Sequence, residues 1–194
     1  MPTPAQLKKL WLLSDTVLYP EAVAFMQKHA RESEPLPTSQ VMGLFNATAS
    51  EQYPALYHFI THQRDRNWPY SKMHIKRFYT SLEETLTRMD RVRLRNEFHL
   101  LEDVPGRGVN ETRQEMDELM ALLAREFIQH VLAENGVLLQ AEEEQRRQRA
   151  RGGDGGRQQG QSGQQGSPGQ QRPGAGQGNR QQGPREQQQK NNRR

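Results

Sequence analysis

The sequence predicts an all-α fold: a bundle of about five to six helices with one long basic helix, followed by a disordered C-terminal tail. Three observations predict it. Apolar residues through positions 1–140 recur at i, i+3, i+4 spacing, and no run alternates apolar with polar as a half-buried strand does. Prolines and short polar clusters interrupt that pattern at helix-length intervals. From about Gln145 onward the chain turns to Gln, Gly and Arg with almost no apolar side chains, so nothing there offsets an ordering entropy of roughly 1–2 kcal/mol per residue. The expected organisation is a helical domain over 1–140, a helical stem over 141–151 and a disordered Gln/Gly/Arg-rich tail over 152–194.

Each helix has its own signal. Thr3-Pro4-Ala5-Gln6 is a capping box with proline at the first helical position, and it opens a helix carrying Leu7, Leu10 and Trp11 on one face. Pro20 marks the start of a second helix with Ala22, Val23, Phe25 and Met26 inward, ending in ARESEPLP. Pro37-Thr38-Ser39 starts a third, with Thr38 or Ser39 as its cap and Val41, Leu44 and Phe45 at helical spacing. Ser50 caps a fourth, in which Tyr53, Leu56, Tyr57 and Ile60 repeat before the HQRDRNWP break. From Ser71, the positions Ile75, Phe78, Leu82, Leu86, Met89 and Val92 follow a nearly seven-residue repeat that continues to Phe98 and Leu101. That predicts one helix of about thirty residues. VPGRG turns the chain, Asn110 caps the next helix, and Met116, Leu119, Met120, Leu123, Phe127 and Val131 form its apolar stripe. Asn135-Gly136 is a stop signal, after which VLLQAEEEQRRQRAR forms the stem.

Charge divides along the chain. Residues 1–140 hold 16 Lys and Arg against 18 Asp and Glu, whereas 141–194 hold 11 against 5. Within the body, 61–95 holds nine basic residues against four acidic, and 96–140 holds three against nine. Such a distribution points to a polyanionic partner, RNA or single-stranded nucleic acid, met by one stretch of the body and by the tail. On the predicted basic helix Lys72 and Lys76 share a face, as do Arg88, Arg91 and Arg95; with Arg77, and with Arg64 and Arg66 in the preceding break, they form a cationic ridge suited to phosphate. In the tail, Arg151-Gly152-Gly153 and Gly155-Gly156-Arg157 place Arg151 and Arg157 as accessible guanidiniums without fixed geometry. Trp68-Pro69-Tyr70 sits at a break, where Trp68 either exposes its ring for base stacking or closes the core beneath the loop. The competing account of the ridge is a solvated helix face paired with Glu83, Glu84 and Asp90, or with the acidic 96–140 stretch.

Other chemistries find little support. The chain has no cysteine, which excludes disulfides, thiolate metal sites and cysteine nucleophiles. His58 and His62 are spaced i, i+4, but the segment reads HFITH rather than HExxH, and no metal or other cofactor is expected. There is no glycine-rich phosphate loop in the body, no GxSxG and no evident carboxylate pair, so the reading is not an enzyme. No signal peptide and no membrane-length apolar run is present, and a cytoplasmic, soluble protein is expected, with self-association through the Gln-rich tail as a further option.

The Pro37–Arg95 region resembles one family. Thr38-Ser39-Gln40-Val41 opening a helix, then a second helix, then a long Lys/Arg-rich helix, is similar to the small helical subunit of type III CRISPR effector complexes. That resemblance implies a non-catalytic subunit that stacks with other protein subunits of a ribonucleoprotein complex and holds the backbone of the guide–target duplex. It implies that Arg64, Arg66, Lys76, Arg77, Arg88 and Arg91 face nucleic acid. The chain departs from the pattern at Met42, where the family often has a basic residue, and in its tail and its acidic Asn110–Asn135 helix. The alternative is a helical adaptor or oligomerising protein whose stripe over 75–92 pairs with another chain.

Overall fold

The computed structural model describes residues 2–50, 52–101 and 108–152. The chain divides into two units, Met1–Asp154 and Gly155–Arg194. The described residues all fall in the first; of the predicted disordered tail only Gly152 is among them, and Arg157 lies outside them.

Among the described residues every regular element is helical. They are α1 (Pro4–Leu13), α2 (Tyr19–Glu32), α3 (Thr38–Thr48), α4 (Tyr53–Asp65), α5 (Met73–Arg88), the short α6 (Leu94–Asn96) and the long α7 (Val109–Gly152). The capping box forms as predicted: the Thr3 N–H donates to Gln6 Oε1 at 2.7 Å, and the Gln6 N–H donates to Thr3 Oγ1 at 3.2 Å. Gln6 is itself buried, and its Nε2 donates onward to the Leu100 carbonyl and to Glu115 Oε1.

Pro20 does not begin a separate helix. A π-helical segment, Ser14–Leu18, joins α1 to α2 without a break, and the Tyr19 N–H donates to the Ser14 carbonyl. The wider turn leaves room ahead of Pro20, whose ring in an unbroken α-helix would press on the carbonyl four residues back. A second π segment, Met89–Arg93, joins α5 to α6. It inserts an extra residue into the turn and so shifts the inward face. Ile75, Phe78, Leu82, Leu86 and Met89 are buried as the spacing predicts. From this segment on the phase changes: Val92 turns outward, and Arg93 and Leu94 take the inward positions. The predicted thirty-residue helix is therefore shorter, ending at Asn96. The chain leaves it through His99, whose φ of 46° lies in the left-handed region, and Phe98 and Leu100 reach the core without being helical.

Three capping expectations are corrected. Pro37 occupies the cap position of α3, and neither Thr38 nor Ser39 makes a side-chain cap bond there. Ser50 sits two residues before the cap of α4, where its Oγ accepts from the Gln52 N–H at 3.3 Å and shapes the loop. Likewise α7 begins at Val109, which puts Asn110 inside its first turn.

The core joins α2, α5 and α7 through edge-to-face rings: Phe25 meets Phe78 and Phe127, and Phe78 meets Tyr79. Helix α7 packs against α2, α3 and α4 through Leu119, Met120, Leu123, Ala124, Phe127, Ile128 and Val131. It runs straight through Asn135-Gly136, where the sequence predicts a stop. At Gly136 an added Cβ would meet nothing within 4 Å. We expect Gly136→Ala to raise stability by about 0.5–1 kcal/mol, read as a higher urea midpoint; a loss of stability would mean the backbone at this position is not relaxed helix.

Candidate nucleic-acid interface

The corner between α4 and α5 collects five of the ten predicted cations: Arg64, Arg66, Lys72, Lys76 and Arg77. Arg64, at the end of α4, is committed within the fold: Nε and Nη2 donate to the two carboxylate oxygens of Asp65 at 2.8 Å, and Nη1 pairs with Glu83 Oε2 at 2.9 Å. Glu83 also accepts from the Tyr57 hydroxyl at 2.7 Å. Hydrogen bonds first from Tyr57 and then from Arg64 hold the Glu83 carboxyl below its ordinary range. The Arg64 bond does the same for Asp65, and the Arg64 guanidinium is held protonated beyond its usual range in return.

The neighbouring cations are arranged differently. Arg66, Lys72 and Arg77 are exposed and Lys76 is half-buried. Among the described residues no carboxylate forms an ion pair with any of these four. The Arg66 guanidinium lies 4.7 Å from the centre of the Trp68 ring. Trp68 itself closes the core: its ring is buried, and Nε1 donates to the Gln63 carbonyl at 2.8 Å. The exposed ring of the break is its neighbour Tyr70, 95% accessible. Trp68, Tyr70, Met73, His74 and Arg77 line one side of a cleft of about 540 Å³, and Glu32 and Ser33 at the end of α2 line the other.

Farther along, Arg88 is exposed at the last turn of α5. Eleven residues separate it from Arg77, close to three helical turns, which puts both on one face about 16 Å apart, with Glu84 between them. The π segment that follows breaks the register on which the predicted Arg88–Arg91–Arg95 row depends. Arg91 lies on that segment and Arg95, exposed, on α6; Arg151 lies in the last turn of α7. Arg93, counted with this basic stretch, faces inward and pairs with Glu21 and Glu97.

One constellation carries no sequence signal. Ser14, buried in the first π segment, places Oγ 3.0 Å from Glu126 Oε2 and 2.9 Å from His130 Nε2. The hydroxyl has one proton, so donation to Glu126 leaves it accepting from His130. A serine-nucleophile relay needs the carboxylate on the far nitrogen of the imidazole, whereas here the acid bonds the serine. The cluster ties the π turn to α7. Its members are 112 and 116 residues apart in sequence, and only folding brings them together.

His58 and His62 are both exposed on α4, and no group of three His, Asp or Glu side chains suited to a metal ion occurs among the described residues. No helix among them is long and apolar enough to cross a membrane. No family model, curated protein or solved structure matches the chain.

Proposed function

We propose that this chain is a non-catalytic nucleic-acid-binding subunit that grips the backbone of RNA, or of an RNA–DNA hybrid, within a cytoplasmic ribonucleoprotein of the CRISPR type. The observation that carries the reading is the α4–α5 corner, where Arg66, Lys72 and Arg77 stand exposed within twelve residues of sequence and without an ion-pair partner among the described residues. Cations so placed meet phosphates and release counterions, a contact that fixes position without reading sequence. The Arg-rich tail adds capture without a fixed geometry, and its seven basic residues against two acidic over 152–194 favour the same polyanion.

The finer assignment rests on the resemblance at Thr38–Val41. Thr38 and Ser39 are exposed and make no cap bond, so helix capping does not account for them. Met42 and Phe45, on the same helix, are 52% and 51% exposed and offer an apolar contact to neighbouring protein subunits. Those two residues, with Trp11 and Leu12 exposed on α1, are also what the adaptor reading retains, since the 75–89 stripe is buried in the chain's own core.

The test is a salt series with full-length protein and single-stranded RNA. Changing Lys72, Arg77 and Arg88 together to Glu should weaken binding and flatten the log–log salt slope by about two, at roughly 0.7 per lost phosphate contact. An unchanged slope and affinity removes the helical surface from the interface and leaves the tail as the only binder. A wild-type protein that binds no nucleic acid, yet copurifies with a stoichiometric protein partner, establishes the adaptor.

A further inference from the structure

Tyr70 is the most exposed large apolar side chain among the described residues, and its backbone is held on both sides. Before it, Trp68 is anchored in the core by burial and by its bond to the Gln63 carbonyl. After it, the Lys72 N–H donates to the Pro69 carbonyl at 2.8 Å and closes the single 3₁₀ turn Tyr70–Lys72. A tyrosine on a mobile loop has little meaning. A tyrosine fixed in water at the lip of a cleft has avoided burial in a fold that buries Tyr53 and Tyr79.

The cleft's chemistry narrows what it takes. The cleft, about 540 Å³, is shallow and open to solvent, a shape that covers one face of a planar group and does not enclose a ligand. Tyr70, Met73 and Trp68 supply flat and polarizable apolar surface, while His74 and Arg77 supply hydrogen-bonding and cationic groups along the first two turns of α5. Lys72 and Arg66 flank them in sequence, and Arg66 already covers the Trp68 ring. Glu32 decides between anions. A pocket for a bare anion or an acidic peptide is spoiled by a carboxylate in its wall, whereas a nucleobase offers amino and imino hydrogens that a carboxylate accepts. A base also offers the π-face that an exposed tyrosine matches, with a phosphate one linkage away for Arg77. In a duplex that face is covered by the neighbouring pair.

We infer that the cleft between the end of α2 and the start of α5 holds one unpaired nucleotide of a single strand, its base stacked on Tyr70 and its phosphate on Arg77. This deepens the backbone-binding reading and rests on it. Along the strand the cations set the path and Tyr70 fixes one base in position, so a single-stranded segment binds more tightly than a duplex of equal charge.

Full-length protein titrated with a short single-stranded RNA bearing a fluorescent purine analogue tests it. Wild type should quench the analogue. Tyr70→Ala should abolish the quenching and weaken binding about tenfold, the size of a lost stacked base, with the salt slope unchanged because no phosphate contact is lost. Tyr70→Phe should behave as wild type, and Arg77→Gln should lower the slope by about 0.7. Inorganic polyphosphate and a duplex should bind wild type and Tyr70→Ala equally. If Tyr70→Ala binds and quenches as wild type does, the stacking assignment is overturned while backbone binding stands. If the variant loses polyphosphate as much as RNA, the ring supports the cations and not a base, and the assignment is again overturned. An acidic peptide that binds as tightly as RNA, and is lost with Tyr70→Ala, transfers the cleft to a protein partner. If wild type binds no RNA even at low salt, the underlying reading falls and this inference with it.

Discussion

Arg93→Met is expected to destabilise the fold by about 3 kcal/mol, although arginine in a basic stretch is ordinarily a surface residue. The side chain of Arg93 is 5% exposed. Its Nη1 and Nη2 donate to the two carboxylate oxygens of Glu21 at 2.6 and 2.7 Å, and its Nε donates to Glu97 at 2.6 Å. The guanidinium lies 4.5 Å from the centre of the Phe98 ring. Burial works against its charge, but the bonds to Glu21 and Glu97 outweigh that and hold it protonated above the usual range. The two carboxylates are partly exposed, at 37% and 49%, so once Arg93 is gone they rehydrate. Glu21→Ala is therefore expected to cost at least as much, because it leaves the buried charge itself short of a partner. The double variant should cost less than the sum of the two. Urea unfolding of the three variants reads all of this, and an Arg93→Met midpoint that corresponds to less than about half a kcal/mol would show the pairs contribute nothing net.

The second large effect is expected at Asn135. Its side chain is fully buried, and it bonds both backbone groups of one residue 99 positions away. Oδ1 accepts from the Leu36 N–H at 2.7 Å, and Nδ2 donates to the Leu36 carbonyl at 3.2 Å. Leu36 lies in the link between α2 and α3, itself fully buried, where no helical partner exists for these groups. Asn135→Ala strands one buried donor and one buried acceptor, at about 1–3 kcal/mol each, less whatever water recovers. A loss of about 3 kcal/mol is expected, and Asn135→Asp should not restore it, since a carboxylate cannot donate to the carbonyl. Wild-type stability in Asn135→Ala would mean that the α2–α3 link pairs its backbone some other way.

Both effects mark where sequence reading and structure part. The helical class and the inward faces were legible because amphipathic spacing is a local signal: Leu44, Leu56, Ile60, Ile75, Phe78, Leu82 and Leu86 are buried where their period places them. The capping box at Thr3 is equally local, Thr3 and Gln6 each accepting the other's backbone N–H within one turn. The failures share a different cause. Asn135-Gly136 reads as a helix stop when only neighbours are considered, and Asn135 is used instead by a distant backbone segment. Val92 reads as an inward residue only if the helix stays α-helical, and the π insertion at Met89–Arg93 moves the inward position to Arg93. At the candidate interface, residue type and spacing identified Arg66, Lys72 and Arg77 as cations of one corner. They could not separate these from Arg64, which Asp65 and Glu83 engage, nor show that Trp68 turns in and Tyr70 out.

By itself, then, the sequence determined a cysteine-free helical body, the phase of most of its helices, and the concentration of positive charge in two stretches, because each depends on residues within a turn or two of one another. Tertiary structure decided which cations remain available, which aromatic ring faces water and where two helices widen into π turns. Those outcomes depend on how helices pack, through partners as near as Asp65 to Arg64 and as far as Glu126 to Ser14, and the free energy of a buried polar group is set by the partner it finds.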